Sequence, residues 1–314
     1  MTGRVLLLGA TGTIGRATAR ALLDAGFEVV ALVRQGAVSL PGCQVVQGRV
    51  TDPSDVAAVM ADARPSAVVS CLASRTGEPA DAWAVDHAAH SAVLKAAVAV
   101  GVGQFVLLSA ICVQKPKLEF QRAKLAFEAE LMAAPIDWSI VRATAYFKSL
   151  SGQVARVQAG KPFLVFGDGR LTACKPISDA DLGRYLALCL TEPAMRNRVS
   201  PVGGPGPAVT PLDQVAMLER LTGKLVTVKR VPVAMMDAII AGLAAGGILS
   251  AKLRAKAELA RIGRYYATES MLVWDGARYD AEATPEFGTD RLEDHYAAML
   301  RGEVADDRGA HKVF

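Results

Sequence analysis

Gly9-Ala-Thr-Gly12-Thr-Ile-Gly15 decides how this chain is read. It stands directly behind the apolar run Arg4–Leu8 and leads into Ile14, Ala17, Ala21, Leu22 and Ala25, whose spacing is helical. Strand, glycine turn and helix in that order make a dinucleotide-binding start, and this context is what lifts the pattern above a chance run of glycines. Gly9 is expected to allow the tight turn, Gly12 the close approach of backbone to a pyrophosphate, and Gly15 the packing of helix on strand. The helix start presents free N–H groups and positive potential to phosphate, so Thr11, Thr13 and Ile14 join the glycines as cofactor-binding positions.

Outward from this turn, short runs rich in Val, Leu and Ile recur at Glu28–Val33, Gln44–Gln47, Ala67–Leu72, Gln104–Ser109 and Asp137–Arg142, with helical segments between them. Continuous apolar strands alternating with helices indicate buried parallel strands. The expected fold is α/β: a Rossmann-type doubly wound parallel sheet with a smaller C-terminal substrate-capping lobe. Residues 1–150 are assigned to the NADP-binding half and 151–314 to the substrate-binding lobe, with one later strand returning to the sheet. Ser178-Asp-Ala-Asp181 reads as a helix start with a hydroxyl at the cap, and Thr210-Pro211 as another. Gly203-Gly-Pro-Gly-Pro207 is a loop, residues 232–262 a helical pair, Asp290–Leu300 a last helix, and the charged tail after Gly302 frayed.

At 314 residues the chain has room for an ample core, and its 52% hydrophobic content is on the apolar side for a soluble protein. No charge-free stretch is long enough to cross a bilayer; Val231–Ser250 comes nearest and is broken by Pro232, Asp237 and several glycines. It reads as a packed helix or as a surface for an apolar ligand or membrane face. The N-terminus reads as a strand and not a signal peptide. A net charge of +4 with dispersed lysines and arginines excludes a nucleic-acid stripe. Cysteines at 43, 71, 112, 174 and 189 contain no C-x-x-C pair, which argues against a disulfide framework or a cysteine-ligated metal. His87 and His90 share a presumed helix and read as solvated surface. The expectation is a cytoplasmic, reduced, metal-free protein.

The second run ends in Arg34, where a carboxylate for a ribose 2′-hydroxyl would otherwise stand. A guanidinium there suits a 2′-phosphate, with Arg16 in support, so NADPH is the expected cofactor. Asp52, ahead of Pro53, is equally a helix cap and an adenine contact. The small residues around Cys71, Leu72 and Ala73 fit beside the cofactor ribose or in simple packing.

A last segment, Ser109-Ala-Ile-Cys-Val-Gln-Lys-Pro-Lys-Leu-Glu-Phe-Gln-Arg-Ala-Lys124, follows the fifth run. It resembles the catalytic stretch of short-chain dehydrogenases, where a serine is followed by a tyrosine four residues ahead of a lysine. Ser109 and Lys124 are present, and Phe120 holds the tyrosine's place. Lys124 is expected to hydrogen-bond the nicotinamide ribose and lend positive charge near the reacting centre. Phe120 is core packing or a wall against a flat substrate.

The chain resembles one family over most of residues 4–300: the NADPH-dependent divinyl chlorophyllide a 8-vinyl-reductases, of the atypical short-chain dehydrogenase type. The matching stretches are Phe105–Pro116, Leu118–Lys124, Tyr146-Phe-Lys-Ser-Leu150, Phe166-Gly-Asp-Gly169, Ala173–Ser178, Gly203–Gly206 and Ile262-Gly-Arg-Tyr-Tyr-Ala267. One departure is Ala143, where a proline is expected. The resemblance implies hydride and proton addition to the 8-vinyl group of a divinyl chlorophyllide a or protochlorophyllide. No oxyanion forms in such a reaction, which agrees with the missing phenol. Tyr146 is the leading candidate proton donor, ahead of Tyr265, Tyr266, Cys112 and bulk water. Phe147 and Tyr265 are candidate substrate contacts, and Lys148, Lys175 and Arg264 suit the pigment's carboxylate by charge. Peripheral contact with photosynthetic membranes is compatible with the apolar segment after Val231. Two alternatives stay open: an isoflavone-reductase-like enzyme acting on another double bond, and a regulator that binds NADP without turning it over. Oligomeric state is not legible.

Overall fold

Val5, Leu6, Leu7 and Leu8 are each at most 1% exposed, so both faces of the first strand are covered. The computed structural model describes residues 3–34, 36 and 38–304; the rest of the tail expected to fray lies outside them. β1 (Arg4–Leu8), α1 (Thr13–Asp24), β2 (Glu28–Val33), β3 (Gln44–Gln47), α2 (Pro53–Ala63) and β4 (Ala67–Ser70) come first. A broken helix follows, made of α3 (Pro79–Ala82), a π-helical stretch Trp83–Ala89 and α4 (His90–Ala99). β5 (Gln104–Ala110), α5 (Glu119–Ala133) and β6 (Asp137–Ala143) complete the alternating half. Beyond it lie α6 (Phe147–Leu150), α7 (Val154–Gln158), β7 (Phe163–Phe166), α8 (Asp179–Thr191) and β8 (Arg198–Val202). The last elements are α9 (Pro211–Thr222), β9 (Val228–Val231), α10 (Val233–Gly247), α11 (Ala251–Thr268), β10 (Val273–Trp274), β11 (Tyr279–Asp280) and α12 (Leu292–Leu300).

The contacts divide the chain into two units. The first takes the chain through Ser74 together with Pro79–Ala143 and Asp179–Val202. Its strands form one sheet in the order β3-β2-β1-β4-β5-β6-β8, every pairing parallel. Alternate residues send one set of side chains to one face: Leu6, Leu8, Val30, Leu32, Val68, Phe105, Leu107 and Ile140 join Val56, Met60, Val93, Phe127 and Leu131 in a single cluster. Across the α1–α8 contact the backbones nearly touch. A Cβ built on Gly183 would lie 2.7 Å from the Ala17 carbonyl carbon, so only glycine lets α8 seat there. Because the strand order reverses at β1, the crevice at the C-terminal ends of β1 and β4 is where this architecture takes a ligand.

The second unit holds Arg75–Glu78, Thr144–Ser178 and the chain from Gly203 on. β7 and β9 pair in parallel, and β10 and β11 form a small antiparallel ladder. Its core gathers Phe147, Val154, Phe163, Val165, Leu218, Leu292 and Tyr296. Thr210 caps α9 as expected: its hydroxyl accepts from the Asp213 N–H, and the Asp213 carboxylate accepts from the Thr210 N–H at 2.8 Å.

Some boundaries differ from expectation for local reasons. β4 ends at Ser70 and not at Leu72, because the Ser70 hydroxyl turns to His90 (2.8 Å) and takes the Leu72 N–H (3.3 Å). The last helix starts at Leu292 and not at Asp290, whose carboxylate accepts from the Ser178 hydroxyl at 2.6 Å. α8 starts at Asp179, directly after Ser178 as expected, and Asp181 is buried and paired with Arg184.

Candidate active site

At the end of β1, Gly9 has φ +74°, and a Cβ there would stand 2.6 Å from the Cys71 carbonyl oxygen. A Cβ on Gly15 would come within 2.1 Å of the Gly9 oxygen. Both glycines are therefore demanded by the protein's own packing. Gly12 differs. Its backbone is extended, and an added Cβ would meet only the Gly9 oxygen, at an ordinary 3.5 Å. The chain's own packing does not demand glycine at that position. Gly12 also precedes α1 with no side-chain cap and no acid in the first turn, so the positive end of the helix dipole is left uncompensated by side chains. These features fit the pyrophosphate of a dinucleotide. Thr11 is exposed at the mouth of this turn, while Thr13 and Ile14 are half-buried.

Arg34 is exposed just past β2 and makes no hydrogen bond or ion pair among the described residues. Arg16 donates to the carbonyls of Thr11 (3.3 Å) and Ser39 (3.0 Å), which ties the segment after β2 to the glycine turn. Asp52 acts as the cap of α2, accepting from the Ser54 N–H at 3.1 Å and the Ser54 hydroxyl at 2.6 Å. Those two bonds, with Arg49 alongside, hold its carboxyl below the usual range. The Cys71 thiol is pushed up to about 12 by burial and lies 3.4 Å from the Thr18 hydroxyl, which makes it inert packing under the turn. Leu72 is half-buried and Ala73 exposed.

Lys124 is not a surface lysine. Its side chain is 11% exposed, and its ammonium donates at 2.9 Å to Asp86, whose side chain is fully buried. Asp86 also accepts the N–H (3.2 Å) and hydroxyl (2.6 Å) of Ser74, in the loop after β4. One carboxylate thus fixes the lysine to the loop beside the glycine turn. Asp86 lies in the π-helical stretch, an irregularity that often marks functional sites. His90 follows it. Contrary to the solvated surface expected of it, His90 is 1% exposed; its Nδ1–H donates to the Val85 carbonyl and its Nε2 accepts from Ser70. Burial first, and then Lys124, lower its pKa to about 4, so it stays neutral.

Ser109 is 2% exposed, and its hydroxyl donates to the Glu128 carboxylate at 2.5 Å, which Arg142 also grips. This serine is held by its own helix and strand. Phe120, 8% exposed, occupies the first turn of α5 beside Gln121, which accepts the N–H groups of Lys117 and Leu118 and donates to the Cys112 carbonyl. Asp86 and Glu128 were not found from sequence. A π turn leaves no periodic signal, and an acid in Trp-Ala-Val-Asp86-His reads as helix surface.

In the second unit Tyr146 bridges Ile177 through backbone, and Phe147 is buried with its ring 5.5 Å from that of His295. Lys148 is half-buried. Lys175, 7% exposed, donates to Glu286 at 2.6 Å and to the Thr284 carbonyl at 3.3 Å. That lysine, with the Gly206 N–H, holds the Glu286 carboxyl below its usual range. Arg264 pairs with Asp237, and Tyr265 is buried with its ring edge-on to Tyr266. The two cations therefore anchor different segments, one to the loop at 284–286 and one to α10.

The NAD(P)H-binding family matches residues 9–193. The chloroplastic divinyl chlorophyllide a 8-vinyl-reductase of Zea mays is 45% identical, over 99% of this chain and 82% of that protein. The chain belongs to the divinyl chlorophyllide a 8-vinyl-reductase family. Solved structures resemble the chain in fold. The UDP-glucose 4-epimerase of Thermotoga maritima superposes with a TM-score of 0.70 at 17% identity, over 95% of this chain and 97% of that one. An NADPH-dependent quinone oxidoreductase of Escherichia coli gives 0.67 at 19% identity, over 94% and 99%. At such identities the structures speak for the fold alone. Together with the glycine turn, the family match makes the chain a nicotinamide-dinucleotide-binding oxidoreductase.

Proposed function

We propose that this chain reduces the 8-vinyl group of a divinyl chlorophyllide a or protochlorophyllide to ethyl, with NADPH as reductant. The 45% identity across 99% of the chain carries the reading. When bound, NADPH supplies the hydride. The chain's own residues bind and orient. The positive end of α1 at Gly12 and Thr13 takes the pyrophosphate, and Arg34, exposed and without a partner among the described residues, takes the 2′-phosphate. Lys124 holds the nicotinamide ribose hydroxyls, and Asp86 with Ser74 fixes where its ammonium can stand. Phe120 in place of a phenol agrees with the substrate: reduction of a conjugated vinyl group builds no alkoxide, so no acid is needed beside Lys124. Tyr146 is assigned the proton. Lys175 and Arg264 already hold Glu286 and Asp237, so either would take the pigment carboxylate only by exchanging partners.

The test is anaerobic incubation of the purified chain with divinyl chlorophyllide a and NADPH. A blue-shifted Soret band and a mass gain of two hydrogens support the reading. NADPH binding without pigment change refutes it and favours another double-bond substrate or a sensor. Arg34→Ala should erase the preference for NADPH over NADH; an unchanged preference removes the 2′-phosphate assignment.

A further inference from the structure

α10 and α11 run antiparallel. Asp237 near the start of one pairs with Arg264 near the end of the other, and at the turn a Cβ on Gly247 would lie 3.1 Å from the Arg254 Cα. This pairing uses little of α10, whose one buried residue is Gly247. Met235 is 48% exposed and Ile239 50%, and at the turn Ile248 is 79% and Leu249 94% exposed. Ala238–Ser250 carries no charged residue, and then Lys252, Arg254 and Lys256 follow. Arg254 donates to the Gly247 carbonyl and so serves the end of α10. Lys252 and Lys256 are exposed one turn apart on one face of α11, and they make no hydrogen bond or ion pair among the described residues. The next acid, Glu258, is buried and taken by Arg261.

An apolar helix face ending in two bare aliphatic side chains, with unpaired lysines directly behind, is the arrangement that binds a lipid interface. No described helix is long and apolar enough to span a bilayer. We propose that the α10–α11 turn docks on an anionic lipid surface, Ile248 and Leu249 entering the acyl boundary while Lys252 and Lys256 lie against the headgroups. Charge decides against a second copy of this chain as the occupant. A two-fold contact through the tip would bring each lysine pair toward its own image, and no carboxylate lies between Ala238 and Lys256 to receive it. The surface is independent of the reaction assigned to the chain, so the test does not depend on turnover.

The full chain is sedimented with phosphatidylcholine vesicles, with and without phosphatidylglycerol, at low and high salt. Binding is expected only where phosphatidylglycerol is present, and to weaken with salt. Each lysine near such a surface contributes about a fivefold change in partition, so Lys252→Gln with Lys256→Gln should lower it about 25-fold. Ile248→Ser with Leu249→Ser should cost about tenfold or more per residue. Both positions are mostly solvent-facing, so these variants should fold and bind NADPH as the parent does. Equal binding to neutral vesicles overturns the proposal, as does no binding to either kind. A dimer in light scattering that the serine variant splits, with no vesicle binding, overturns it in favour of a second copy.

Discussion

Replacing Asp86 and Lys124 singly and together tests whether the buried pair is the frame of the site. Asp86 is fully buried and Lys124 nearly so, with 2.9 Å between their charged atoms. Removing one partner from such a pair strands the other charge and costs roughly 3–5 kcal/mol. Asp86→Ala also strips the acceptor from the N–H and hydroxyl of Ser74, about 1 kcal/mol apiece. Its expected cost is therefore about 5–7 kcal/mol. Lys124→Ala leaves the carboxylate with its Ser74 donors and should cost about 3 kcal/mol. The double variant strands neither charge. It should stand close to Asp86→Ala alone, which makes the coupling about 2–3 kcal/mol. Denaturant unfolding of the four proteins measures this, and NADPH titration reads the site: Asp86→Asn, which keeps the volume but not the charge, should weaken NADPH by about tenfold. Additivity within about 0.5 kcal/mol would refute the argument that the pair acts as a unit. Unchanged NADPH affinity in Asp86→Asn would reduce Asp86 to a structural role.

Gly12→Ala should leave stability unchanged or raise it by about 0.5 kcal/mol, since its extended backbone and open surroundings accept a methyl, while NADPH affinity falls about tenfold. Gly15→Ala, with its Cβ 2.1 Å from the Gly9 oxygen, should lose stability as well; equal melting temperatures for the two variants would contradict the division of labour drawn between them. His90 supplies a pH dependence. Its native pKa of about 4 lies below the unfolded value near 6.5, so the unfolded chain takes the proton first. Its contribution is full above about pH 6.5 and is lost as pH falls toward 4, on the order of 3 kcal/mol. Unfolding of wild type and His90→Gln across that range should show the wild type losing more; parallel curves would place the acid sensitivity elsewhere.

The sheet could be read in the sequence because buried parallel strands such as β1 and β2 are contiguous apolar words, and these two, with the exposed marginal strand β3, appear at the residues expected. The glycine turn was legible because strand, glycines and helix follow one another without a gap, and two of the three glycines, Gly9 and Gly15, answer a local steric demand. What escaped was long-range polar pairing. Lys175 and Arg264 invite a substrate carboxylate by charge, yet their partners stand 111 and 27 residues away, and no spacing rule announces them. His90 was misjudged for a related reason. A regular helix through Trp83 would have set its face by count, but the π turn shifts the register and turns His90 toward Ser70 at the end of the central strand β4.

The return of α8 and β8 to the first unit bears on synthesis. The ribosome releases the cofactor half in two instalments, with the residues of β7 and its loops emerging between them. Until Val202 has cleared the exit tunnel, β6 is an open sheet edge and α1 lacks the helix that Gly183 seats on it. A nascent chain of 150 residues thus ends its sheet at β6, a strand that is interior in the finished fold, and a chaperone that shields strand edges would meet it in that interval.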